Sequence, residues 1–227
     1  MHCRWQHGLM LPAGPATIDV PFEYRHQCWF CAEPCHCQLH YQAGQHTPHP
    51  SLTVPACKEC LRLAKKQPLT SIWDCQMAVK DELMRIYQKH LAIGVNWTQG
   101  EIEQAEFDPD CKIFGGFRQS AWKMYLIAKA RVNFQGWPLS INGVPLDDHS
   151  YSVSFAFDGM NFTSISQAIS HYSTSLGLDQ AFLQTLVNKV GRDRFGYAVR
   201  IARINIVSTP KVKKQVIADI VNEQLAQ

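Results

Sequence analysis

A chain of 227 residues with 46% hydrophobic, 11% aromatic and 18% charged residues has the make-up of one or two globular domains with a sizeable core, and it excludes a long disordered chain. Pro12, Gly14 and Pro15 break the apolar residues of the N-terminal stretch before they reach the length of a membrane span or a signal peptide, so the expectation is a soluble, cytoplasmic (intracellular) protein with no membrane partner. The net charge of +3 conceals an asymmetry: residues 1–120 carry 11 Lys and Arg against 12 Asp and Glu, whereas residues 121–227 carry 11 against 7.

The first motif along the chain is Cys28-Trp-Phe-Cys31, answered 25 residues later by Cys57-Lys-Glu-Cys60. Two C-x2-C pairs at this separation are the arrangement of a closed, four-thiolate structural zinc site, with no open position left for a substrate water. The intervening segment, PCHCQLHYQAGQHTPHPSLTVP, has little periodicity and reads as a loop with at most a short hairpin. Its Cys35, His36, Cys37, His46 and His49 are alternates that can replace a knuckle cysteine or build a second site; the plainer reading is a solvated polar loop. Cys3, Cys75 and Cys111 read as core or incidental thiols.

After the second knuckle, helical spacing of Ile72, Cys75, Val79, Leu83, Ile86 and Leu91 predicts one helix, capped by Thr70 or Ser71 and ended by Gly94. The T-x-x-E box at Thr98–Glu101 opens a short helix that Pro109 ends. FDPDCKIFGGF is then a turn-rich joint, and a third helix spans Ser120 to Asn133 with Trp122, Leu126, Ala130 and Phe134 on one stripe. These helices are expected to brace the zinc module. From residue 137 the pattern alternates around Asn142-Gly143 and again around Asp158-Gly159, with Val153, Phe155 and Phe157 on one side. This predicts two hairpins in one small sheet. SISQAISHY, with Ser164 as its cap, and DQAFLQTLVNKVG, from Asp179 to Gly191, predict a helix-turn-helix pair. RIARINIV alternates, and a last helix starts at Pro210 behind Ser208 or Thr209. The fold class is therefore α+β: a small zinc-stapled module over 1–115, a connecting helix over 116–136, and a basic module of sheet and helix pair over 137–227.

CWFC, His40 and LTVPACKECLRLAKK together resemble the zinc-stabilised HNH endonucleases, also called ββα-metal nucleases, of treble-clef type. There a catalytic histidine lies between two C-x2-C knuckles and the second knuckle begins a helix. The resemblance covers residues 24 to about 67. It implies His40 as the general base that activates water against a phosphodiester, beside a catalytic Mg2+ or Mn2+. The family's acidic residue before that histidine is Leu39 here, its central Asn falls near Ser51, and the His or Asn after the last knuckle is Leu61, so the resemblance is to a degenerate module. FDGMNFTSISQAISHY is similar, more weakly, to the helix-turn-helix modules that accompany homing endonucleases. That likeness places Gln180, Gln184, Asn188 and Lys189 towards base edges.

The positive excess is concentrated late. Lys189, Arg192, Arg194, Arg200, Arg203, Lys211, Lys213 and Lys214 face only Asp193 between residues 189 and 214, the footprint of a polyanion partner or of a solvated face. The leading expectation is a zinc-containing nucleic-acid-binding protein, DNA rather than RNA, with a degenerate HNH-like module. A metal-dependent nuclease using His40 and a protein-interaction adaptor in a larger assembly are the alternatives.

Overall fold

The computed structural model describes residues 14–66, 70–104, 113–147 and 154–225. Cys3, Pro68, Pro109, Cys111 and Val153 lie outside them. In chain order the elements are β1 (Ala16–Thr17), β2 (Cys37–Tyr41), β3 (Leu52–Ala56), α1 (Lys58–Ala64), α2 (Ile72–Ile86), α3 (Gln88–Asn96), α4 (Gln99–Gln104) and α5 (Ile113–Asn133). Then follow β4 (Ser140–Ile141), β5 (Val144–Pro145), β6 (Phe155–Phe157), β7 (Met160–Phe162), α6 (Ile165–Leu176), α7 (Gln180–Val190), α8 (Phe195–Ile204) and α9 (Pro210–Leu225). The fold is mixed α+β, and its sheets are small.

The chain packs as two units, 14–79 with 135–147 and 80–134 with 154–225. In this division the first hairpin falls with the N-terminal residues, and α3 and α5 fall with the C-terminal ones.

In the first unit the segment between the knuckles is more ordered than its polar composition predicts. β2 and β3 pair antiparallel over five residues, with His40 opposite Thr53, and β1 adds parallel to the other edge of β3. Leu39 and Tyr41 alternate inward on β2, and Leu52, Val54 and Ala56 are buried on β3; the histidines and glutamines had masked that period-two signal. Trp29, Phe30, Trp73 and Trp137 fill the interior with them, and the Trp29 Nε1–H donates to the Trp137 carbonyl at 3.0 Å. The Asn142-Gly143 hairpin forms as predicted, with both residues at positive φ. Asp19 holds it, its carboxylate accepting from the Ser140 hydroxyl and from the N–H groups of Asn142 and Gly143.

The single helix predicted through Leu91 is two, and the first of them, α2, runs from the first unit into the second. α2 ends at Ile86, Tyr87 leaves helical geometry at ψ 10°, and α3 follows. Gly94 lies inside α3 instead of ending it, because a Cβ there would sit 2.1 Å from the Tyr125 ring of α5. α5 begins at Ile113, so the expected joint contributes its last residues to a helix, and its buried face carries Tyr125, Ala128 and Val132; Leu126 and Ala130 point outward. The Asp158-Gly159 hairpin forms, but in its own two-stranded sheet, separate from the first hairpin. The Asn133 side chain clamps it, donating to the Gly159 carbonyl and accepting from the Asn161 N–H. Ser164 caps α6 and Asp179 caps α7, each accepting from the N–H three residues on. Gly177 ends α6 in the left-handed conformation, later than the sequence pattern placed the turn. RIARINIV is not a strand: Arg200–Ile204 continue α8, whose buried Phe195, Ala198 and Ala202 recur at helical spacing.

Candidate metal centre and cationic surface

The first knuckle is a narrow hairpin. Gln27 bridges to Pro34, the Cys28 N–H donates to Glu33 O and the Ala32 N–H to Cys28 O, and Ala32 turns the chain at φ 60°. The Trp29 N–H reaches Pro55 O on β3, fastening the knuckle to the sheet. The second knuckle is the first turn of α1: Cys57 is its N-cap, and its sulfur accepts from the Cys60 N–H. The first knuckle, the β2–β3 pair and α1 thus follow one another along the chain, with a cysteine pair at each end of the series.

These elements bring the four predicted sulfurs within 4.8 Å of one another. Cys31 Sγ lies 3.8 Å from Cys57 Sγ and 3.5 Å from Cys60 Sγ. A tetrahedron with metal–sulfur bonds of about 2.3 Å has edges of about 3.8 Å, so spacing and donor set both fit a metal ion such as zinc. Cys28, Cys31 and Cys60 are buried; Cys57 is partly exposed as a residue, with its sulfur inside the cluster. The four thiols differ in acidity. The Cys31 thiol is held down to about 7 by its hydrogen bond with Cys28, and Cys57 is also held down, by Cys28 first. Cys28 is pushed up by Cys31, and Cys60 by Cys28. A divalent ion binds thiolates and displaces those protons. Held by four sulfurs, it would supply a crosslink between knuckle, sheet and helix.

The alternates are placed elsewhere. Cys35, His36 and Cys37 line an open cleft of about 360 Å³ beside Arg25 and His26, and burial pushes the Cys35 thiol up to about 11. His46 is exposed. His49 is buried between Tyr41 and Trp73, its Nδ1–H donating to Pro50 O and its Nε2 accepting from the Ile72 N–H, so it caps α2 with both ring nitrogens engaged. That role had no sequence signal, because the partner lies 23 residues away. Cys75 is a buried thiol pushed up to about 11, the inert core cysteine expected. His40 is exposed on β2, with Nδ1 3.0 Å from the Thr53 hydroxyl. Among the described residues, the four-cysteine cluster is the one group of three or more His, Cys, Asp or Glu side chains close enough to hold a metal.

On the second unit α7 buries Phe182, Leu183, Leu186, Val187 and Val190 and leaves Gln180, Asn188 and Lys189 exposed. Gln184 is half-buried and donates to Asn188. Arg192, Arg194, Arg200, Arg203, Lys211 and Lys214 are exposed. Arg192 donates to Ser154 O, and Arg194 lies over the Tyr197 ring. Lys213 alone of the late cations pairs with a carboxylate among the described residues, Asp179 at 2.9 Å.

Fold and site together define a mixed α+β protein with a buried cysteine cluster that can hold a metal such as zinc. No protein-family model, no curated protein and no solved structure matches the chain. Among the described residues no helix is long and apolar enough to cross a membrane.

Proposed function

We propose that this is a zinc-stabilised nucleic-acid-binding protein, binding DNA in preference to RNA, whose HNH-like module is kept as a scaffold and not as a nuclease. The observation that carries the reading is the row of cations from Lys189 to Lys214, all exposed except Lys213, which is half-buried in an ion pair with Asp179. Solvated cations that outnumber their acidic neighbours, here Asp193 and Asp179, are available to phosphates, which position a protein on nucleic acid without specifying sequence. The four cysteines hold the zinc. Gln180, Gln184, Asn188 and Lys189 are the side chains of α7 nearest to reading a base edge in this scheme. The reading against catalysis rests on the sequence: Leu39, Ser51 and Leu61 stand where the resembled nucleases carry an acidic residue, an Asn and a His or Asn.

Gel-shift titration over a salt series tests the reading. Six phosphate contacts give a log–log slope of roughly −5, at about 0.9 per phosphate on duplex DNA; binding that ignores salt, or no binding, overturns it. DNA nicking with Mg2+ or Mn2+ that disappears in His40→Ala, with zinc content unchanged, would instead establish the nuclease.

A further inference from the structure

The turn between α8 and α9 holds three large apolar side chains in the open: Ile204 is 71% exposed, Ile206 43% and Val207 94%. The turn is pinned. The Asn205 side chain donates to Ile201 O and accepts from the Ser208 hydroxyl, its N–H is shared by Ile201 O and Ala202 O, and the Ser208 N–H returns to Asn205 O. Thr209 then starts α9, its carbonyl accepting from the Lys213 N–H. With its backbone bonded in this way the turn keeps the apolar side chains outward, where a loose loop would fold them back. Contiguous apolar side chains held in solvent mark a contact surface. On the α8 side they are flanked by exposed Arg200 and Arg203 and on the α9 side by exposed Lys211 and Lys214, and no Asp or Glu occurs from residue 194 to 218.

We infer that this turn is an apolar wedge that enters nucleic acid at an unstacked or kinked step while the flanking cations hold the phosphates. The inference rests on the nucleic-acid reading above and adds the mode of binding. An apolar tip inside a cationic rim needs a partner that is anionic outside and apolar within, as a base stack is when opened from the minor groove. An anionic bilayer has the same two chemistries, but it presents its charge at one depth. Here the cations are spread along α8 and on more than one side of it, with Arg194 at its N-terminus about 15 Å from Ile204 at 1.5 Å per residue, so they do not lie at one depth.

The test compares the full chain with Ile206→Ser/Val207→Ser, changes at solvent-facing side chains whose thermal melt should match the parent. Fluorescent duplexes of one sequence, fully paired or with a central mismatch, are titrated, and energy transfer between end labels reports bending. The parent should prefer the mismatched duplex and draw its ends together. The variant should lose that preference and the bend, with affinity for the mismatched site falling roughly tenfold, while binding to paired duplex keeps the same salt slope. Unchanged preference and bending in the variant would overturn the wedge and leave the nucleic-acid reading standing. Absence of parent binding to either duplex would overturn both, and phosphatidylserine vesicles that retain the parent but not the variant would assign the tip to a lipid surface instead.

Discussion

The two units solve the same packing problem by different means. In the second, helices carry their own instructions: Ser164 and Asp179 cap α6 and α7, Gly177 ends the first of them, and apolar residues recur on one face of each. Aromatic rings then lock the hairpin to the helices, with Phe195 stacked edge-on against Phe155, Phe157 and Tyr172 at centroid distances of 5.1, 4.9 and 5.7 Å. In the first unit strands of two to five residues and a seven-residue helix are too short to stand alone. The first knuckle, the end of β3 and the start of α1 meet at four sulfurs. A unit of short elements needs a crosslink at their meeting point; a unit of longer amphipathic helices does not.

The strongest way to break this contrast is to remove a ligand. Cys57→Ser should abolish stoichiometric zinc and unfold the first unit, since the binding energy of a structural zinc, on the order of 10 kcal/mol, is also folding energy. Elemental analysis with two-dimensional NMR checks it: resonances of Leu52, Val54 and Trp137 should collapse while those of α7 and α8 persist. Uniform loss across both units would mean that the second leans on the metal as well. The converse is Phe195→Ala, which empties a site 1% exposed and should cost about 3–5 kcal/mol. Urea unfolding followed by helical signal should shift, with zinc retained.

How much of this was legible beforehand follows the same division. The cysteine set, both tight hairpin turns and the caps at Ser71, Thr98, Ser164, Asp179 and Thr209 could be read from local chemistry, because each depends on residues within about four positions. What escaped is non-local. The close approach of Tyr125 to Gly94 and the grip of Asp19 on Ser140, Asn142 and Gly143 depend on contacts between residues far apart in sequence. The face of α5 was misread because Trp122 and Leu126 are more hydrophobic than Ala128, yet the smaller side chain is the one fully buried. Of the candidate site, the four cysteines that cluster were legible; that His49 caps a helix and Cys35 and Cys37 line a cleft was not, since the same residue types serve as ligands, caps and walls.

Acid should separate the units by a second route. His171 on α6 is 2% exposed, sits against Phe162 and Tyr172, and has no hydrogen-bond partner for either ring nitrogen among the described residues. Burial lowers it to about 4 from 6.5. A histidine depressed in the folded state contributes stability that is present above pH 6.5, where the unfolded chain is also neutral, and that is lost as pH falls towards 4, where only the unfolded chain takes the proton. The loss over that window is about 3 kcal/mol. Urea midpoints of the second unit should fall across it in the parent and stay nearly level in His171→Leu; parallel pH profiles would place the acid sensitivity elsewhere.

The smallest effect tests whether the second unit's helices rely on local signals as claimed. Ser164 sits in extended geometry and its hydroxyl accepts from the Gln167 N–H at 3.2 Å. Ser164→Ala removes that acceptor and leaves an N–H at the start of α6 unsatisfied, at a cost of about 1 kcal/mol, whereas Ser164→Asp keeps an acceptor and adds a negative charge at the positive end of the helix. The pair should therefore move the melting temperature in opposite directions about the parent, with zinc content unchanged in both. If neither moves it, α6 is held by the packing of Ile169, Tyr172 and their neighbours alone, and the second unit is closer to the first than its caps suggest: its ends would be set by tertiary contacts, as the first unit's are by four sulfurs.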